Sequence, residues 1–439
     1  MTGIEIGILA IVLLIVLIAL GMPIGIAMLV VSFGGVMMIR NETVAIRMAG
    51  AVANDSLRQY LFAVVPLFVL MGLLVTVSGV GKDTFDVFQK LLRRVRAGLG
   101  VATVFANAVF ASITGISIAS ATVFSRVAVP EMTRHGYSKS FSTGVVAGSS
   151  VLGMLIPPSL LMIVYAVLAE ESVGRMFLAG VGPGLLLSVM FSVTIISMAR
   201  FRPAMVFDRQ PGVPGVDDDD QSTLDILRKG VPILSLILMV LGGLYSGFLN
   251  PTEAGAVGAL GALMIALARR SLDRRSFWGL LVETGQITVS VLFLIMAATF
   301  FSRMLAMSGL PGLLADMILG GPIGPWGFLV LYLALIILLG CLIDSISIML
   351  IVLPIALPIA QAAQFDMIWF GVMTVIAVEI GLLTPPFGLS VYTIRAAISD
   401  PKLSTGAIFR GAFPFVLTMI LSLVVIAVFP GIAVWLARL

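Results

Sequence analysis

Charge is scarce in this chain of 439 residues, of which 11% are Asp, Glu, Lys or Arg and 60% are hydrophobic. Histidine and cysteine are nearly absent, at one each, His135 and Cys341. A single cysteine excludes an intramolecular disulfide, and a single histidine beside Arg134 in a polar segment leaves little for a conventional metal centre or a Ser-His-Asp triad. No nucleotide-binding motif is present, so nothing points to ATP. The N-terminus has no basic segment before its first apolar run, which reads as a first span and not as a cleaved signal peptide. No stretch suggests a soluble domain, and a net charge of +4 does not indicate nucleic-acid binding.

What the chain has instead is apolar runs of 18 or more residues throughout, the mark of an all-α polytopic membrane protein. In the first half, residues 4–79 hold three scaffold spans: a tight pair at 4–21 and 22–39, joined at Gly21-Met22-Pro23, and a third at 60–79 after a polar connection. Residues 82–97 alternate charged and apolar side chains as an interfacial amphipathic arm. Residues 98–135 read as a re-entrant hairpin turning at Thr114-Gly115-Ile116-Ser117; a broken span at 141–168 and an intact one at 175–200 follow. Asp217 to Asp220 mark a solvated linker. The second half repeats the plan, with helices over 230–306, a hairpin at 324–363, a broken span at 367–394 and a last helix at 411–436.

Adding 228 carries Pro23 to Pro251, Ser117 to Ser345, Pro130 to Pro358, Gly153 to Gly381, and Pro157 and Pro158 to Pro385 and Pro386. The boundary between repeats therefore falls between the segments 1–225 and 226–439, each with five full spans and one hairpin. An odd number of crossings inverts the second repeat relative to the first, as in many secondary transporters. Of the 26 Lys and Arg residues, 20 then fall on the face that holds the mouth of the first hairpin, which marks it as cytoplasmic and puts both termini in the periplasm.

Each half places Gly-x-x-x-Pro-Pro in the middle of an apolar run. Proline removes a backbone donor there, and freed carbonyls in hydrocarbon are tolerated only against protein or a polar cavity. Oxygen-rich junctions of this kind suit a hard cation, and half-helix N-termini suit an anion. Two symmetry-related sodium sites are expected, with sodium as the coupling ion and no other cofactor. The first would use Thr114, Ser117, Ser150 and backbone at Gly153; the second, Asp344, Ser345, Thr384 and backbone at Gly381 and Gly388. A substrate cavity between them would be lined by Gly115, Pro157, Pro158, Ser347, Glu379, Pro385 and Pro386. Hydroxyls in membrane helices often bond only a carbonyl one turn back, whereas carboxylates such as Asp344 and Glu379 within apolar spans are costly and point to function by default. Glu253, in Asn250-Pro251-Thr252-Glu253, reads as a helix N-terminal carboxylate.

With these residues in order, the chain resembles the large membrane subunit (M, DctM-like) of the tripartite ATP-independent periplasmic (TRAP) transporters over nearly its whole length. The matching motifs include Gly21-Met22-Pro23-Ile24-Gly25, Val129-Pro130-Glu131-Met132, Leu155-Ile156-Pro157-Pro158-Ser159, Pro251-Thr252-Glu253-Ala254, Gly340-Cys341-Leu342-Ile343-Asp344 and Gly381-Leu382-Leu383-Thr384-Pro385-Pro386. One departure is Ile116, where the family's first hairpin tip usually carries a polar residue. The resemblance implies sodium-coupled uptake of an organic anion, such as a dicarboxylate or sialic acid, across the bacterial inner membrane. It further implies an elevator motion of the hairpins and broken helices, a separate small four-helix membrane subunit (Q, DctQ-like), and a periplasmic substrate-binding protein (P, DctP-like). The competing readings are a stand-alone sodium/dicarboxylate symporter, a sodium channel, and an intramembrane hydrolase using Ser117 or Asp344. The last lacks a histidine at membrane depth and leaves the repeat unexplained.

Overall fold

The computed structural model describes residues 1–208, 223–398, 400 and 403–438; the acidic linker at 217–220 lies outside them. The first half contains α1 (Gly3–Ala19), α2 (Ile24–Ile39), α3 (Glu42–Arg58), α4 (Val64–Val77), α5 (Val80–Leu92), α6 (Gly98–Thr114) and α7 (Ser117–Arg134). After these come α8 (Lys139–Ser150), the one-turn α9 (Leu152–Leu155), α10 (Leu160–Leu168), α11 (Val173–Phe201) and the short α12 (Pro203–Val206). The second half opens with α13 (Thr223–Ile237), which passes through a π-turn into α14 (Gly243–Tyr245). It continues with α15 (Pro251–Ala268), α16 (Arg274–Ser308), α17 (Leu310–Leu319), α18 (Gly324–Gly340) and α19 (Ser345–Ala362). The last helices are α20 (Met367–Leu382), α21 (Leu389–Ala397), α22 (Thr405–Val428) and α23 (Gly431–Val434).

Six helical segments among the described residues are each long and apolar enough to cross a bilayer: α11, α13 with α14, α15, α16, α19 and α22. Three bent pairs qualify together: α4 with α5 at 66°, α8–α9 with α10 at 42°, and α17 with α18 at 119°. Length and hydropathy alone do not separate a crossing from a hairpin arm, because α19, the second arm of the second hairpin, passes this test.

The helix bounds follow the 228-residue offset closely. The bounds of α7 map onto those of α19, and the start of α8 onto that of α20. Two helices of more than one turn went unread in the sequence. The polar connection after α2 is itself a helix, α3, opened by the Asn41 side chain accepting from the Val44 N–H. α17 occupies the place in the second half that α5 holds in the first. The halves also differ: α3 and α4 are separated at 59–63, whereas their counterpart α16 runs unbroken for 35 residues. Pro66 accounts for the difference. It has no N–H to donate to the Phe62 carbonyl, which disfavours a continuous helix there, and the aligned residue in α16 is Leu294.

α20 forms the axis of the molecule: every residue from Ile368 to Leu382 is buried. Around it pack α18, α19, α22, α11 and α10. By contrast, α1 and α18 leave Ile8, Val12, Ile15, Leu331, Leu335 and Leu338 exposed, the apolar face expected of a helix meeting lipid. Ion pairs collect at the two polar rims. Asp83–Arg269 (2.5 Å), Asp86–Lys229 (2.6 Å) and Lys139–Asp400 join residues that the charge partition assigns to one face. Arg303–Asp55 (3.2 Å) and Arg438–Asp366 (2.8 Å) lie on the other.

α8 and α22 pack so closely that a Cβ on Gly144 would collide with the Gly411 backbone. Small residues are what allow such backbone contact between membrane helices. Gly144→Val should therefore cost about 1–3 kcal/mol of stability through overpacking. A lowered unfolding midpoint in detergent, read by tryptophan fluorescence, checks this, with Gly34→Val, whose Cβ would meet nothing within 4 Å, as the control.

Candidate functional site

Both Gly-x-x-x-Pro-Pro segments break their helices. In the first, α9 ends at Leu155 and α10 resumes at Leu160; in the second, α20 ends at Leu382 and α21 resumes at Leu389. Pro157 and Pro385 cannot donate to the carbonyls of Gly153 and Gly381. The Gly381 carbonyl takes the Thr384 N–H instead, at 2.9 Å. In the first break the Ser159 hydroxyl donates to the Met154 carbonyl and caps α10 by accepting from the Met162 N–H at 3.3 Å.

Each hairpin tip sits against the break of its own half. The tip of the first is Gly115-Ile116, between α6 and α7, and the tip of the second spans 341–344, between α18 and α19. Leu160 donates its N–H to the Gly115 carbonyl at 3.4 Å, and Phe387 donates to the Cys341 carbonyl at 3.3 Å. A Cβ on Gly153 would fall 3.1 Å from the Ser117 backbone, and one on Gly381 would fall 2.5 Å from the Gly340 Cα. The repeat-related glycines thus do the same work, admitting the end of a hairpin arm to backbone contact. Gly115 likewise meets the Pro158 carbonyl.

The candidate side chains divide into two sets. Thr114, Ser150 and Thr384 donate to carbonyls three or four residues back, those of Phe110 (3.1 Å), Ala147 (2.8 Å) and Ile380 (2.7 Å). Asp344 is the N-cap of α19: its carboxylate accepts from the Ser347 N–H (3.1 Å) and hydroxyl (2.5 Å), so that Ser347 is taken up by the cap. Ser345 is buried beside it. Glu253 forms a capping box with Asn250 at the start of α15, the helix N-terminal role read from its sequence.

The other set is unsatisfied. Ser117 is buried and its hydroxyl has no hydrogen-bond partner among the described residues; the same holds for Ser120 and for both carboxylate oxygens of Glu379, which is 1% exposed. The Glu379 carboxyl lies against the Ser117 hydroxyl, short of hydrogen-bond geometry. Glu379 thus lies at the hairpin tip of the opposite half. α7 begins at Ser117 without a side-chain cap, whereas the N-terminus of α19 is closed by Asp344.

The two junctions are unequally covered. Thr114, Gly115, Ser117, Pro157 and Pro158 are buried, while Asp344, Pro385, Pro386 and Phe387 are exposed. Sequence reading passed over Ser120 and Asn107, whose Nδ2 donates to the Ser149 hydroxyl at 2.5 Å in the core. An asparagine inside the apolar run of α6 was the available signal. It also passed over a cavity of about 510 Å³ alongside the C-terminal half of α7, lined by Ser125, Arg126, Lys139 and Asp400 among others.

An all-helical membrane protein with two hairpins closing on two proline-broken helices is built as a transporter. The sequence profile described as "Tripartite ATP-independent periplasmic transporter, DctM component" matches residues 11–432, and the chain belongs to this family. It is 33% identical over 380 residues to the C4-dicarboxylate TRAP transporter large permease protein DctM of Pseudomonas aeruginosa, covering 86% of each chain. It is 29% identical over 420 residues to the sialic acid TRAP transporter large permease protein SiaM of Vibrio cholerae, covering 95% of each, and 28% identical over 376 residues to the ectoine TRAP transporter large permease protein TeaC of Halomonas elongata, covering 85% and 86%. Among solved structures, the Neisseria gonorrhoeae MtrF efflux pump superposes with a TM-score of 0.59 at 12% identity, covering 97% of this chain and 94% of that one. The Alcanivorax borkumensis YdaH transporter superposes with a TM-score of 0.55 at 16% identity, covering 84% and 86%.

The tip contacts predict that Gly153→Val and Gly381→Val each reduce uptake at least about tenfold by displacing a hairpin, at a packing cost on the order of 1–3 kcal/mol. Uptake normalised to the amount of inserted protein measures this, with Gly312→Val, where a Cβ would meet nothing within 4 Å, as the comparison.

Proposed function

We propose that this chain is the permease through which a small carboxylate-bearing solute, delivered by a periplasmic binding protein, enters the cell with sodium. The observation that carries the reading is the paired junction: in both halves a hairpin end lies on the glycine of a proline-broken helix, at positions 228 residues apart. Family membership supports the tripartite arrangement, with a small membrane subunit and a binding protein as partners, over a stand-alone symporter. Relatives named for C4-dicarboxylates, sialic acid and ectoine share a carboxylate on their solutes, and that group is the substrate feature proposed here.

In this reading the repeats over 1–225 and 226–439 are inverted, the termini are periplasmic, and the hairpins with the broken helices move as one body in an elevator cycle. Sodium binds at the first junction through Ser117 and the Gly153 backbone, with Thr114 and Ser150 offering the lone pairs their own hydrogen bonds leave free. At the second, the ligands are Asp344, Ser345, Thr384 and the backbone at Gly381 and Gly388. The substrate carboxylate takes the uncapped N-terminus of α7, beside Gly115, Pro157 and Pro158; Pro385, Pro386 and Ser347 bound the space from the other half. The α7 N-terminus is favoured over that of α19 because Asp344 caps α19 through Ser347, whereas Glu379, though it reaches the start of α7, accepts no hydrogen bond there.

Reconstitution in proteoliposomes tests the reading. Uptake should require an inward sodium gradient, the small subunit and the binding protein together, and transport by this chain alone would sink the tripartite proposal. Asp344→Asn keeps a capping side chain and should raise the half-saturating sodium concentration several-fold, whereas Glu253→Gln, in a capping box remote from the tips, should leave it unchanged. Equal effects would remove Asp344 from the site. Replacing both Pro385 and Pro386 by Ala should abolish uptake with insertion intact.

A further inference from the structure

The first hairpin tip has no carboxylate of its own, since the residue aligned with Asp344 is Ile116. We infer that Glu379 fills this lack from the other repeat, ligating the cation at the first junction together with Ser117 and the Gly153 carbonyl. This rests on the sodium-coupled reading above and adds to it a ligand that neither half supplies by symmetry: the residue aligned with Glu379 in the first half is Val151.

Three elements meet there. α20 carries Glu379 and packs against α9, which carries Gly153; α9 in turn packs against α7, which begins at Ser117. The Glu379 carboxyl faces the Ser117 hydroxyl. Ser120 lies one turn further along the same side of α7 and is also buried without a partner. Pro157 removes the N–H that would otherwise engage the Gly153 carbonyl. The junction is therefore a convergence of oxygen atoms with few donors. An ionised carboxylate buried this deeply without partners among the described residues is among the most costly groups a protein can hold, and a bound cation would offset that cost. The positive end of α7 favours an anion but supplies no hydrogen bond to either Glu379 oxygen. Hydroxyl, carbonyl and carboxylate oxygens without soft or nitrogen ligands select a hard cation, and sodium is the one the transport reading provides.

The consequence is asymmetric. At the second junction the carboxylate belongs to the hairpin tip and travels with it. At the first, the tip is separate from its carboxylate, so the cation would clasp the two repeats together across α7 and α20.

The test uses the purified chain with its small subunit in detergent, and reads the rise in unfolding midpoint when sodium chloride replaces choline chloride. Wild type and Glu253→Gln should both show the sodium-dependent rise, while Glu379→Gln should shift its midpoint concentration upward about tenfold or more. Ser117→Ala should shift it in the same direction, and the double variant should shift it by less than the two single effects combined. An unaltered sodium response in a folded Glu379→Gln protein overturns the assignment. So does a loss confined to Glu379→Gln with Ser117→Ala unaffected, since the carboxylate would then act away from the tip. If Glu379→Gln fails to fold, Ser117→Ala and Ser120→Ala carry the test, and wild-type responses in both overturn it. The absence of any sodium response in the wild type, with uptake driven by another gradient, would instead refute the sodium reading on which the assignment rests.

Discussion

The fold is governed by a rule of membrane interiors, that a polar backbone group in hydrocarbon must find a partner within the protein. Two proline pairs strain that rule locally by deleting donors in the middle of apolar runs. Much of the local architecture answers the deficit. Ser159 turns back on the first break, the Thr384 N–H covers Gly381, and the hairpin tips accept N–H groups from the resuming chain at Leu160 and Phe387. A hairpin tip and a helix break each leave backbone groups without helical partners, and each supplies such partners to the other.

Most of this architecture was legible in the sequence, because the signals were strong and redundant: apolar runs, paired proline breaks, and glycine and proline positions recurring at one offset. α3 was not, because its capping asparagine and amphipathic pattern lie in a polar segment where helix and loop look alike. α17 escaped because it adjoins α16 with a single residue between, so that hydropathy cannot show the turn at Gly309.

That hairpin tips and helix breaks adjoin was legible in the sequence; the bonding of the side chains there was not. Thr114, Ser150 and Thr384 were chosen for their hydroxyls, and their side chains turned out to bond carbonyls behind them, which a residue list cannot show. Ser117, drawn from the same list, is left without a partner because it begins a helix and has no preceding turn of its own to bond. That Glu379 faces it depends on how α20 rotates against α9. This is a tertiary relation between residues 262 apart in the chain, and no local pattern encodes it.

The arm α5 is held at its charged rim by two ion pairs to the second half, Asp83 to Arg269 and Asp86 to Lys229, and it leads into the first hairpin through residues 93–97. Its counterpart α17 reaches the second hairpin through 320–323. With the far end of α5 moored, any displacement of the first hairpin relative to α13 and α15 has to be taken up in a link of five residues, where Ala97 already stands at a positive φ of 56°. Five residues can extend at most about 17 Å, so in the elevator cycle proposed above the moorings would set the stroke length.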